Sequence, residues 1–163
     1  MRLIALMLSG VALVMLLAGT TVADDGRFTF SGLTVKDKLT GLIWTRDANL
    51  GKLDWGRALE LVSTLNGKTY AGVRNWRLPS REEVRALMQY AMSAGCGGGQ
   101  DRLSPYNFFN AIGFSNVQLC EYVTSNPQEA ETPYTCVIST YDGMERNEDK
   151  EHEFCVWPVH AGE

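Results

Sequence analysis

Histidine is nearly absent from this chain: His152 and His160 are the two in 163 residues. Two imidazoles offer few general bases, and no Gly-x-Ser-x-Gly turn occurs, so Ser-His-Asp hydrolysis has no motif behind it. No two cysteines stand two to four residues apart, which removes the paired knuckles of a structural zinc site. Basic clusters are missing as well. Arg74, Arg77, Arg81 and Arg85 are diluted by Glu82 and Glu83, and the formal charge is −4. Phosphate backbones call for clustered Lys and Arg, so no nucleic-acid partner is expected. Internal repeats and low-complexity tracts are lacking, and Gly97-Gly98-Gly99 has neither the Lys-Ser/Thr nor the preceding strand of a phosphate loop.

Long apolar runs are lacking with one exception, Leu3 to Leu17, broken only by Ser9 and Gly10. It follows the positive Met1-Arg2 and is shorter than the roughly 20 residues of a membrane span. Thr21 and Ala23 fit the −3 and −1 positions of a cleavage site. Residues 1–23 therefore read as a signal peptide, with an uncleaved anchor as the alternative. No cysteine follows Leu16-Leu17-Ala18-Gly19, against a lipidated form. Residues 24–163 then form a single domain, periplasmic or secreted, with no membrane span after cleavage. Export puts Cys96, Cys120, Cys136 and Cys155 in an oxidising compartment, and two disulfides are the default reading. Three pairings are open.

Phe28 to Val35 alternates like a strand, with a slip at Ser31-Gly32 where a turn or bulge fits, and Leu42 to Thr45 is a second strand. Asp54 is placed to cap a helix that carries Trp55, Ala58, Leu59, Val62 and Leu65 on one face and stops at Asn66-Gly67. Ser80-Arg81-Glu82-Glu83 fits a capping box opening a second helix, with Val84, Leu87, Met88 and Ala91 on its face. Gln100 to Leu119 shows little periodicity yet holds Pro105, Tyr106, Phe108, Phe109, Ile112 and Phe114, which reads as a long packed loop. Glu121–Ser125, Tyr134–Thr140 and Glu153–Val159 are strand candidates. This order is α+β.

Thr40-Gly41-Leu42-Ile43-Trp44, Asp47-Ala48-Asn49, Trp55 with Ala58-Leu59, and Asn75-Trp76-Arg77-Leu78-Pro79-Ser80-Arg81-Glu82-Glu83 carry a resemblance. They resemble the Lcl C-terminal domain family, a bacterial domain of unknown function named for the end of a collagen-like adhesin. Tyr122-Val123-Thr124-Ser125 and Phe154-Cys155-Val156-Trp157-Pro158-Val159 extend the likeness over residues 27–161, with Trp157 where the family usually carries Arg. The resemblance implies a C-type-lectin-like fold, also seen in formylglycine-generating enzymes. That fold would set two helices around a small twisted antiparallel sheet, with a long packed loop and chain ends in neighbouring strands. It also implies a Cys136–Cys155 bridge, which leaves Cys96–Cys120 to staple the loop. It implies export, and in some members adhesion or glycan binding.

Trp44, Trp55 and Trp76, with Arg77 and Pro79, read as scaffold at element starts, each indole N–H expected to find a backbone partner. Sugar-stacking aromatics are sought later in the chain, at Tyr106, Tyr122, Tyr141 and Trp157, with the amides of Asn107 and Asn126 beside them. Asn126-Pro127-Gln128 lies near the position of a lectin calcium motif, but no Trp-Asn-Asp follows. The acidic run from Asp142 to Glu153 lacks the Asp-x-Asp-x-Asp-Gly loop that pre-organises calcium's oxygens and reads as a solvated hairpin. His152 and His160 read as surface residues. No catalytic residue, metal ligand or cofactor is expected. The reading is a non-enzymatic lectin-like domain of the cell envelope, with a glycan or an envelope protein as partner. A structural module without a ligand is the alternative, and a divergent formylglycine-type enzyme using Cys136 and Cys155 is a second.

Overall fold

The computed structural model describes residues 25–94, 104–125 and 131–162. Along the chain come β1 (Phe28–Ser31), β2 (Thr34–Asp37), β3 (Leu42–Thr45), β4 (Lys52–Leu53) and α1 (Trp55–Gly67). A 3-10 turn at Tyr70–Gly72 precedes α2 (Arg81–Ala94) and α3 (Pro105–Ile112). The last strands are β5 (Glu121–Val123), β6 (Tyr134–Ser139), β7 (Glu145–Asp149), β8 (Phe154–Cys155) and β9 (Val159–Ala161).

The class is α+β, but its layers differ from the expected single antiparallel sheet. One sheet runs β1-β2-β3-β9 and is antiparallel throughout. The other runs β4-β8-β5-β6-β7 and is mixed, because β5 and β8 lie parallel with Tyr122 beside Cys155. Both ends of the described chain enter the first sheet, with β9 on β3 rather than on β1. Glu153–Val159, read as one strand, is two. β8 ends at Cys155 and β9 begins at Val159, and Pro158, which has no N–H to give a ladder, lies in the break between the two sheets.

Local signals account for most helix ends. The Asp54 carboxylate accepts from Arg57 N at 2.8 Å, capping α1, which buries Ala58, Val62 and Leu65 while Leu59 stays 39% exposed. The capping box at α2 closes both ways: Ser80 N–H donates to Glu83 Oε2 at 2.7 Å and Glu83 N–H to Ser80 Oγ at 3.2 Å. All four expected α2 positions are buried.

The aromatic stretch read as a loop contains α3. Ser104-Pro105 starts it, since proline's fixed φ suits the first helical turn. Phe108, Phe109 and Ile112 then follow Pro105 at three, four and seven residues, and Gly113 at φ 120 ends the helix. Two turns are too short to show a clear period among so many aromatics.

Alternation in the second sheet buries both of its faces. Val123, Val137 and Phe154 pack on α1 with Trp76, Leu78 and Val156. Their neighbours Tyr122, Ile138 and Cys155 face the larger core with Trp44, Leu87, Met88, Phe108, Phe109 and Trp157. Successive residues on these strands therefore serve two different cores.

Candidate functional site

The segment from Trp76 to Ser80 joins the two sheets. Arg77 exchanges backbone hydrogen bonds with Val159 of β9 at 2.9 and 3.0 Å, and Ser125 N–H, just beyond β5, donates to Pro79 O at 2.8 Å. The Arg77 guanidinium grips Glu83 through both oxygens at 2.7 and 2.6 Å. Burial pushes the Glu83 carboxyl up, but Arg77 and the Ser80 N–H together bring it below the usual carboxylate range. The Asn66 amide holds Trp76 by both backbone groups, at 2.9 and 2.7 Å. Trp44 and Trp76 are 1% and 2% exposed, and Trp55 is half-buried with Lys150 Nζ 4.2 Å from its ring centroid. Pro79 is buried. These residues hold scaffold positions. Of the three indoles, Trp76 donates to Tyr70 O at 3.1 Å, while Nε1 of Trp44 and of Trp55 finds no partner among the described residues, contrary to expectation.

Two expected ligand aromatics are corrected by burial. Tyr122 and Trp157 are each 1% exposed, and their rings meet at 5.6 Å inside the core. Trp157 lies edge-on to Trp44, Phe109 and Phe114 at 5.4, 5.7 and 5.1 Å and donates to Thr45 O at 2.9 Å. A ring enclosed this way has no face left for a sugar. The Tyr122 hydroxyl accepts from Gln118 N–H, and burial raises its pKa. Tyr106 is half-buried, its backbone N–H bonded to Thr140 O, and Asn107 is exposed near Ser104. Asn126 lies outside the described residues. Tyr141 is 66% exposed.

The expected cysteine pairing is corrected too. Cys155 is bonded to Cys120, with Cα atoms 6.2 Å apart, and not to Cys136. The parallel contact of β5 with β8 explains this, because Cys120 immediately precedes β5 and so lies beside Cys155. Cys136 is buried on β6, and Cys96 lies outside the described residues.

Two concavities then stand out. A groove of about 360 Å³ is lined by Tyr141, Lys52, Leu119, Glu121, Ser139 and Glu153, with Cys120 of the disulfide beside them. Leu119 is 59% exposed, so the groove offers an apolar edge next to an open aromatic ring and two carboxylates. A second cleft, also about 360 Å³, lies between β9 and the loop that precedes Trp76. His160 lines it. This histidine was expected at the surface but is 8% exposed, because β9 is flanked by β3 and by the Arg77 bridge, and its ring packs edge-on to Trp76 at 5.1 Å. In the loop that precedes Trp76, Gly72 and Asn75 both have positive φ.

The acidic run contains β7, paired with β6 in a hairpin, and arginines pair with some of its carboxylates. Glu145 pairs with Arg85 and Arg81 of α2, and Asp142 pairs with Arg146 at 2.8 Å. The Arg85 guanidinium holds the Glu145 carboxyl below its ordinary range, and Arg146 does the same for Asp142. Among the described residues no group of three or more His, Cys, Asp or Glu side chains could hold a metal. No helix among them is long and apolar enough to cross a membrane.

Two sheets joined through a tryptophan-arginine-leucine-proline segment, with three helices around them, define an α+β domain built on buried tryptophans. The chain belongs to the Lcl C-terminal domain family, whose pattern matches residues 33–160. No curated protein matches it.

Proposed function

We propose that this is an exported, non-enzymatic, lectin-like recognition module of the cell envelope, and that it binds a glycan at the Tyr141 groove. The observation that carries the reading is the open Tyr141 ring set beside Glu121, Glu153, Ser139 and Lys52. An aromatic face can stack on the C–H face of a sugar, and carboxylates with a lysine can fix hydroxyls around it. The leader-like residues 1–23 and the Cys120–Cys155 bond support an oxidising destination. That bond also engages Cys155, which the formylglycine-type reading would need beside Cys136.

A glycan array probed with and without calcium tests the proposal, followed by the same array with Tyr141→Ala. A defined set of sugars should bind, and the substitution should weaken binding roughly tenfold while leaving the fold intact. A flat array would leave the structural-module reading in its place.

A further inference from the structure

We infer that the Cys120–Cys155 disulfide is a redox clasp on the Tyr141 groove: oxidised, it holds the two walls of the groove together, and reduced, it lets them part. Its effect on recognition rests on the reading of this groove as the glycan site, whereas its effect on the groove's shape does not.

The lining residues fall into two units, and each unit carries one cysteine of the bond. Leu119 and Glu121 flank Cys120 in sequence. Cys120 N–H donates to Thr140 Oγ1 and Thr140 N–H donates to Cys120 O, both at 3.1 Å, which ties this segment to the end of β6. Ser139 and Tyr141 stand on either side of Thr140, and Ser139 is also the register partner of Glu121. These four lining residues form one wall. Lys52 and Glu153 form the other. Lys52 is the register partner of Cys155, Glu153 lies two residues before it, and Val156 N–H donates to Gly51 O at 3.0 Å.

At the surface, little besides the bond joins the two walls. β5 and β8 share a single register pair, Tyr122 with Cys155, too short a parallel contact to hold the walls in register by itself. The groove carboxylates pair within their own walls, Glu121 with Arg146 at 3.8 Å and Glu153 with Arg57 at 4.0 Å, through solvent-open contacts of little strength. Beneath the groove, Phe154 and Val156 pack with Val123 and Val137 in the core against α1, so β8 stays seated when the bond opens. Reduction therefore changes the mouth of the groove and leaves the fold, the arrangement a redox switch requires. Recognition is thereby confined to oxidising surroundings.

Cys120 lines the groove and is half-buried, whereas Cys155 is 3% exposed, so a dithiol in solution meets the Cys120 sulfur first. Its thiolate forms a mixed disulfide with Cys120 and expels the Cys155 thiolate, which takes a proton. The second sulfur of the dithiol then attacks its first, closing a cyclic disulfide and releasing Cys120 as a thiol. The dithiol gives up two electrons and two protons, and the protein gains two thiols.

The test treats the purified, ¹⁵N-labelled protein with dithiothreitol, alkylates the thiols formed and maps them by mass spectrometry. Cys120 and Cys155 should become alkylated while circular dichroism still shows a cooperative melt. Amide shifts should reach Ser139, Tyr141 and Glu153, none of them next to either cysteine in sequence, and reoxidation should reverse them. On the glycan array, the parent's signal should fall roughly tenfold on reduction. Cys120→Ala combined with Cys155→Ala removes this bond alone, and should give the reduced pattern with no further response of the groove amides to dithiothreitol. The clasp is overturned by a bond that is reduced only once the chain unfolds, by groove amides that stay in place on reduction, or by a double variant whose groove still answers dithiothreitol. A flat array with these shifts present removes the glycan reading and supports the clasp, while a parent signal unchanged by reduction overturns the clasp's control of recognition.

Discussion

Replacing Asp37 with alanine should be among the most damaging single changes in this protein. The Arg27 and Asp37 side chains are 7% and 1% exposed, and they meet in a bidentate pair at 2.8 and 2.5 Å. Asp37 also accepts from Thr40 Oγ1 at 2.9 Å and from Leu39 N–H at 3.0 Å. Arg27 in turn lies over the Tyr90 ring at 4.4 Å, so its charge is fixed against the aromatic core. Removing the carboxylate breaks a buried bidentate pair from one side, a loss of about 3–5 kcal/mol. At this chain length each kcal/mol moves Tm by roughly 3–5 °C, which gives a drop of roughly 10–25 °C. The double replacement Arg27→Met with Asp37→Leu should recover most of it, since hydrophobic isosteres often match a buried pair.

The pH dependence has a definite sign. Burial pushes the Asp37 carboxyl up, yet Arg27, Thr40 and the Leu39 N–H bring it below its ordinary value. A depressed pKa stabilises the fold at pH above the unfolded value of about 3.9 and loses that contribution as pH falls through the folded value. The gap between parent and Asp37→Ala should therefore be full at pH 7 and narrow below about pH 4. Thermal melts by circular dichroism at both pH values measure this. A Tm within about 2 °C of the parent at pH 7, or a gap that widens in acid, would refute the reasoning.

Other outcomes follow from the same contacts. Non-reducing peptide mapping should recover Cys120 joined to Cys155, and with two disulfides this leaves Cys96 with Cys136; a Cys136–Cys155 peptide would contradict the parallel β5–β8 contact. Ser80→Ala should cost about 1 kcal/mol in urea unfolding, because the Glu83 N–H loses its cap. Trp157→Ala should cost about 3–5 kcal/mol, while Trp157→Phe should cost less and keep a cooperative melt. Tyr141→Ala should change stability by no more than about 0.5 kcal/mol, because the ring is mostly in solvent.

Much of the scaffold was legible in the residues, and the reasons are local. Asp54 and Ser80 cap helices through side-chain oxygens within three residues, and α2 shows its period in four buried positions. Ser31-Gly32 turns the first hairpin because glycine reaches φ 55. What the sequence hid depends on long-range neighbours. Trp157 and Tyr122 read as binding aromatics, and only the junction of both sheets with α3 encloses them. Cys120 meets Cys155 through a parallel strand contact that spacing cannot reveal. His160 is covered because Arg77 pairs with its neighbour Val159 across more than eighty residues of chain. The Tyr141 groove was legible only in part: Tyr141 is among the aromatics proposed, while Lys52 and Leu119 reach the same groove from distant parts of the chain.

The proposal that recognition is carried by the Tyr141 groove, and not by the buried aromatics, is tested most directly by one array experiment on three proteins. The parent, Tyr141→Ala and Trp157→Phe are each confirmed folded by circular dichroism and then applied to the same glycan array. The expected result is a shared glycan signal in the parent and Trp157→Phe that falls roughly tenfold in Tyr141→Ala. A signal that survives Tyr141→Ala unchanged, or no signal from the parent, would contradict it.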